Sequence, residues 1–260
     1  MHQLSLPFFG GHYNHAFHQV RSRRRHRPII RCILARAISY SRASPAQSKA
    51  AVSEFDRTLL KPSLFKEKAP DTFEVKFETT RGDFVMNVTR AWAPNGADRF
   101  YNLVRHHFYD NMVIFRVVPN FVVQFGISSY PPVNAAWRGD TITDDPVLQS
   151  NKRGYVTFAM AGPNTRTTQI FISFKDNSRL DTMGFTPFAT VNKDGMKVVE
   201  KFYDQYADGP TGEQGAIQSE GKPYLDKHYP KLDVIKRATI VGPAAAAAPD
   251  AASAPAASNP

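Results

Sequence analysis

The sequence predicts a mainly β domain of about eight strands and two helices in a largely antiparallel pattern, folded as a sandwich or a closed barrel. Three observations carry this. Short apolar–polar alternations recur between residues 70 and 241, each bounded by turn residues. Only two stretches show the three-to-four-residue apolar spacing of a helix. A barrel would also remove the open strand edges along which sheets aggregate.

The elements follow in order. Phe73, Val75 and Phe77 alternate with Glu74, Lys76 and Glu78, which makes a strand with one wet face. Thr80-Arg81-Gly82-Asp83 turns the chain, and Phe84–Val88 returns as a second strand. The Arg81-Gly82-Asp83 tripeptide matches an integrin-binding motif, but a hairpin turn accounts for it, since glycine supplies the backbone freedom tight turns need. Pro94-Asn95-Gly96 opens a helix whose Ala97, Phe100, Tyr101 and Val104 share one face. Strands are expected at Met112–Val118, Phe121–Phe125, Tyr155–Met160, Ile170–Ser173 and Phe188–Val191. A second helix is expected near Met196–Tyr203, with Val198, Val199 and Phe202 inward. Residues 207–231, rich in Gly, Pro and polar side chains, read as a long surface excursion before a last strand at Leu232–Ile240.

The chain has 260 residues and a net charge of +10, yet the charge is uneven. Residues 1–53 hold eight Arg and Lys49 and no acidic residue, and the rest of the chain is nearly neutral. Residues 1–53 therefore read as a targeting or disordered leader, residues 54–69 as a linker, 70–241 as the domain, and the Ala/Pro-rich stretch 242–260 as a disordered tail. The leader fits an exported protein, periplasmic or secreted, or an organelle-targeted one; a cytoplasmic location is the remaining alternative. Its Arg21–Arg27 run is the one feature that would suit nucleic acid, and no nucleic-acid partner is expected of the neutral body.

Several classes are excluded. No apolar run reaches the roughly 18 residues a membrane span needs. The one cysteine, Cys32, allows neither an internal disulfide nor a cysteine-based zinc site. There is no G-x-G-x-x-G, P-loop, H-E-x-x-H or G-x-S-x-G. His106 and His107 are adjacent, and read as a solvated or capping pair rather than metal ligands. No cofactor and no metal are expected.

Two stretches remain: Phe115-Arg116-Val117-Val118-Pro119-Asn120-Phe121-Val122-Val123-Gln124-Phe125-Gly126, and Phe158-Ala159-Met160-Ala161-Gly162-Pro163-Asn164-Thr165-Arg166-Thr167-Thr168-Gln169-Ile170-Phe171-Ile172. They closely resemble the two signature stretches of the cyclophilin-type peptidyl-prolyl cis/trans isomerases. The resemblance covers about 170 residues. It implies a closed eight-stranded antiparallel β-barrel capped by two α-helices. It also implies catalysis of X-Pro rotation by Arg116, with Gln124 as polar positioner. The proline pocket falls on Phe121, Val122, Phe171 and Leu180, and the substrate backbone would be met by Ala159, Met160 and Gln169. The implied partners are proline-containing peptides and unfolded protein segments, bound by a monomer that assists folding.

Departures from the family pattern are specific. Arg179 stands where drug-sensitive members carry a Trp beside the pocket Leu, so cyclosporin binding is expected to be weak. A pocket His is replaced by the stretch Asp181–Phe185, one residue longer, in which Phe185 is expected to fill the space. Val122 and Met160 stand where Met and Asn are common. These changes resemble divergent bacterial members. They leave open a proline-peptide-binding module with little or no turnover as the alternative to an enzyme.

Overall fold

The computed structural model describes residues 55–242. The expected leader over 1–53 and the expected tail lie outside them, apart from Gly242, which ends the last strand.

The nine strands are β1 (Thr72–Thr79), β2 (Gly82–Thr89), β3 (Met112–Val113), β4 (Arg116–Val118), β5 (Val122–Phe125), β6 (Tyr155–Phe158), β7 (Ile170–Ser173), β8 (Pro187–Val191) and β9 (Val234–Gly242). Five helices accompany them: α1 (Pro94–Arg105), α2 (Pro131–Trp137), α3 (Lys193–Val199), α4 (Gln214–Glu220) and α5 (Lys222–His228). The alternation in β1 and β2 acts as the pattern requires. Phe73, Val75 and Phe77 pair with Val88, Met86 and Phe84 across the hairpin. All six side chains are buried, and the Phe77 and Phe84 rings stack with centroids 5.0 Å apart. The apolar stripe of α1 joins this core through Ala97, Phe100 and Val104.

The strands form one antiparallel sheet in the order β3-β9-β1-β2-β8-β6-β7-β5-β4. Among the described residues this corrects the closed eight-stranded barrel: nine strands form one curled sheet, and no ladder joins its two edges, β3 and β4. The reason lies in the stretch expected as a single strand, Met112–Val118. Its first part pairs with β9 (Val113 with Val234) and its second with β5 (Arg116 with Gln124). Between them Ile114 sinks into the main core. Phe115 packs instead into a second cluster with Val113, Ile127, Ile217 and Leu225. The run is interrupted at Ile114–Phe115, where it leaves β9 and passes to β5.

Three further expectations change. Among the described residues the two expected helices become five. Helix α3 starts at Lys193, because Asn192 caps it by accepting a hydrogen bond from Gly195 N at 2.8 Å. The stretch 207–231 is no bare excursion: it holds α4 and α5, whose Ile217 and Leu225 form the roof of the second cluster. Gly221, between those helices, has φ +70°, and a Cβ there would lie 2.2 Å from Ser129 O. Only glycine allows that approach, and Lys222 N donates to the same carbonyl at 3.1 Å. The stretch expected as a linker is packed from Phe55 onward. Leu59 is buried and its carbonyl accepts from Trp137 Nε1 at 2.8 Å, and Phe65 meets the Trp137 ring edge-on.

Candidate active site

The site grows from the β4–β5 hairpin. Pro119 and Asn120 form its corners; Asn120 has φ +57°, a left-handed position that asparagine tolerates, and Phe121 N donates back to Val118 O at 3.0 Å. This turn sets the register Arg116 opposite Gln124, so the two side chains share a face. Arg116 Nη1 donates to Gln124 Oε1 at 2.9 Å.

The next strand is drawn in by Gly126. It has φ +120°, and a Cβ there would lie 2.5 Å from Thr168 O and Gln169 Cα. Glycine at this place lets the end of β5 touch the backbone that enters β7, and Thr168 Oγ1 donates to Gly126 O at 2.8 Å. Gln124 Nε2 can then donate to Gln169 Oε1 at 2.9 Å.

Beside this polar row lies an apolar cradle that is separate from the main core. Val122, Phe171 and Leu180 are buried, with Phe121, Ala159 and Phe185 half-buried against them. The Phe185 ring meets Phe171 edge-on at 5.7 Å, which places it against the pocket wall. The loop bearing Leu180 and Phe185 is pinned from below by the fully buried Asn151. Its Nδ2 donates to Asp181 Oδ1 at 2.7 Å and to Phe185 O at 2.8 Å, and its Oδ1 accepts from Thr157 Oγ1 at 2.7 Å. Phe121 is held by its carbonyl, which accepts from Phe174 N at 2.9 Å and Asn177 Nδ2 at 3.0 Å. The Arg116 Cζ stands 5.5 Å from the centre of the Phe121 ring, so the cation borders the cradle.

Ala159 N is engaged by Gln169 O at 2.9 Å, aligning the 159–160 stretch beside β7. Met160 is half-buried, with its methyl near Gly184. The structure therefore gathers Arg116, Phe121, Val122, Gln124, Ala159, Gln169, Phe171, Leu180 and Phe185 around one polar row and one cradle, with Met160 facing the 184 turn. The remaining motif residues support this group. Arg166, 1 % exposed, donates to Asp144 and Asp145 at 3.0 Å each and to Thr143 O. Asp145 in turn accepts from Asn95 N and Gly96 N, supplying the cap that α1 lacks from its own sequence.

Sequence reasoning missed two contacts from the 207–231 segment. Asp208 Oδ1 accepts from Arg116 Nε at 2.6 Å, and Gln214 Oε1 accepts from Gln169 Nε2 at 2.9 Å. The 3₁₀ turn Gly209–Glu213 joins them. That turn is clasped to α5 by Glu213, whose Oε2 accepts from Tyr224 OH at 2.7 Å and Tyr229 OH at 2.9 Å. These hydroxyls, Tyr224 first, hold the Glu213 carboxyl below its ordinary pKa. The same bond pushes the Tyr224 phenol up to about 12.

Residues 74–222 match the family model described as cyclophilin type peptidyl-prolyl cis-trans isomerase/CLD. Among curated relatives, a peptidyl-prolyl cis-trans isomerase-like 1 of Gibberella zeae is 32% identical over 137 residues, which covers 50% of this chain and 81% of that protein. Its namesake in Aspergillus niger is 30% identical over 135 residues, covering 49% of this chain and 80% of that protein. Among solved structures, a Cryptosporidium parvum cyclophilin type peptidyl-prolyl cis-trans isomerase superposes with a TM-score of 0.48 at 18% identity. That superposition covers 65% of this chain and 98% of the other.

Proposed function

Because the chain belongs to the cyclophilin-type peptidyl-prolyl cis-trans isomerase family, we propose that it accelerates rotation about X-Pro peptide bonds in proline-containing peptides and unfolded segments. The observation that carries this reading is Arg116, braced by Gln124 and bordering the Phe121 edge of a discrete apolar cradle.

The chemistry asks for little else. Amide resonance opposes rotation with a barrier of about 18–20 kcal/mol, and the uncatalysed X-Pro exchange takes tens to hundreds of seconds. No bond to carbon is made or broken, so neither nucleophile nor cofactor enters. The protein has only to favour the twisted amide over both planar forms. In the twisted state the prolyl nitrogen regains a lone pair, and a guanidinium that donates to it stabilises the twist. Arginine suits this because it stays charged and its donors lie in one rigid plane. The cradle of Val122, Phe171 and Leu180 holds the pyrrolidine ring and keeps water from the donor, which strengthens the bond. Phe121 covers its rim, and Gln124 and Gln169 face the substrate backbone.

We also propose that the protein is exported from the cytoplasm, on the basic, acid-free stretch 1–53 that precedes the described residues. Among those residues no helix is long and apolar enough to cross a membrane.

A coupled isomerisation assay on an X-Pro tetrapeptide tests the reading. The Arg116→Ala variant is expected to lose about a hundredfold or more in kcat/KM, the usual scale for removing one aimed donor, while keeping its circular dichroism spectrum. Equal rates for wild type and variant would overturn it and leave a proline-peptide-binding module.

A further inference from the structure

The guanidinium of Arg116 has five N–H groups. Gln124 takes one on Nη1 and Asp208 takes the one on Nε. Two acceptors on two different nitrogens of a planar group fix both its position and the tilt of its plane. The other donors are on the terminal nitrogens, and Cζ stands 5.5 Å from the ring of Phe121 at the edge of the cradle. Gln124 alone leaves the group free to swing about a single bond. Asp208 removes that freedom.

We propose that Asp208 is a positioning residue for Arg116, and that the segment Asp208–Gln214 is a built part of the site. The inference rests on the reading of Arg116 given above. Both ends of the segment grip the same polar row. Asp208 holds Arg116, Arg116 holds Gln124, Gln124 holds Gln169, and Gln169 holds Gln214, after which the 3₁₀ turn returns the chain to Asp208. The loop of contacts is closed, so no member can tilt without moving its neighbours.

The segment is itself anchored. Pro210 is buried, Glu213 is clasped by two tyrosine hydroxyls, and Tyr206 packs edge-on against Tyr229. Ile217 and Leu225 seat the following helices on Phe115, the residue directly before Arg116. The carboxylate is thus delivered to the guanidinium by a packed element.

The Asp208 side chain is 59% exposed and that of Arg116 19%. An ion pair this wet contributes little to folding. Its effect is therefore expected in turnover and not in stability, which separates positioning from a structural role.

The test uses the full chain and the X-Pro tetrapeptide assay with Asp208→Ala, Asp208→Asn and wild type. Asp208→Ala is expected to lower kcat about tenfold, a fraction of what misplacing a reacting group by an ångström can cost, with KM within about twofold and the melting temperature unchanged. Asp208→Asn keeps an acceptor oxygen and is expected to restore kcat to within about threefold of wild type. The ¹⁵N resonance of Arg116 Nε is expected to shift or broaden in Asp208→Ala and to stay near its place in Asp208→Asn. An active wild type with an unchanged or raised kcat in Asp208→Ala would overturn this inference alone. Failure of Asn to restore activity would overturn it too. A wild type without turnover would overturn the isomerase reading and this one with it.

Discussion

The guanidinium of Arg179 lies over the ring of Phe121, with Cζ 5.1 Å from its centre. Arg116 meets the same ring at 5.5 Å. Two cations thus flank one aromatic wall of the cradle, each in reach of the ring's negative face. Arg179 is exposed and directly precedes Leu180.

The rim at Arg179 offers a planar cation where an indole would offer an apolar face and one N–H donor. Arg179→Trp is therefore expected to bind cyclosporin at least about tenfold more tightly than wild type, roughly 1.4 kcal/mol. Isothermal titration calorimetry checks it, and equal affinities would place the obstacle elsewhere in the cradle.

Asn151 holds Asp181 and the Phe185 carbonyl from inside the protein. Asn151→Ala would take this partner from the Phe185 carbonyl and the Thr157 hydroxyl, at about 1–3 kcal/mol for each buried group left unsatisfied, while Asp181 keeps the Ser150 hydroxyl and the residue 151 N–H. The variant should unfold at lower urea and show a raised KM, because the wall formed by Leu180 and Phe185 loosens. A drop in stability with KM untouched would detach Asn151 from the cradle.

Arg166 and Asp145 form an ion pair in which both side chains are almost wholly buried. Removing one partner strands the other charge at the start of α1. Arg166→Ala is expected to cost about 3–5 kcal/mol, read from the shift in urea unfolding midpoint. A loss below about 1 kcal/mol would show that water replaces the guanidinium.

The Glu213 clasp predicts a pH window. Folding lowers the carboxyl pKa through the bonds from Tyr224 and Tyr229. Its stabilisation is present above the unfolded value of roughly 4.3 and fades as pH falls through the lower folded value. Folding raises the Tyr224 phenol to about 12, so that contribution is present below the unfolded value of about 10 and is lost as pH rises toward 12. Hydrogen-exchange protection factors over residues 209–229 should plateau between these limits, and Glu213→Gln should flatten the acid side. An acid side unchanged in Glu213→Gln would assign it to another carboxylate.

What was legible depended on how local the signal was. The β1–β2 hairpin could be read because its inward residues alternate within a single strand. Arg116 and Gln124 are legible through the resemblance, because both lie in the same signature stretch. The break at Ile114–Phe115 could not, since an apolar run looks the same whether one layer or two receive it. Asp208 carried no mark: it meets Arg116 across 92 positions of chain. The segment that brings it is anchored by isolated apolar residues, Ile217 and Leu225, that make no periodic stripe. The stretch 54–69 reads as a linker because Leu59 and Phe65, with Lys61 and Pro62 between them, make no periodic pattern; they find Trp137 only in three dimensions.

The two rims of the curled sheet belong to one seven-residue run, Met112–Val118. The closure of the fold is therefore covalent where ladder hydrogen bonds are missing: two buried residues, Ile114 and Phe115, tie the strand bound to β9 to the strand that carries Arg116.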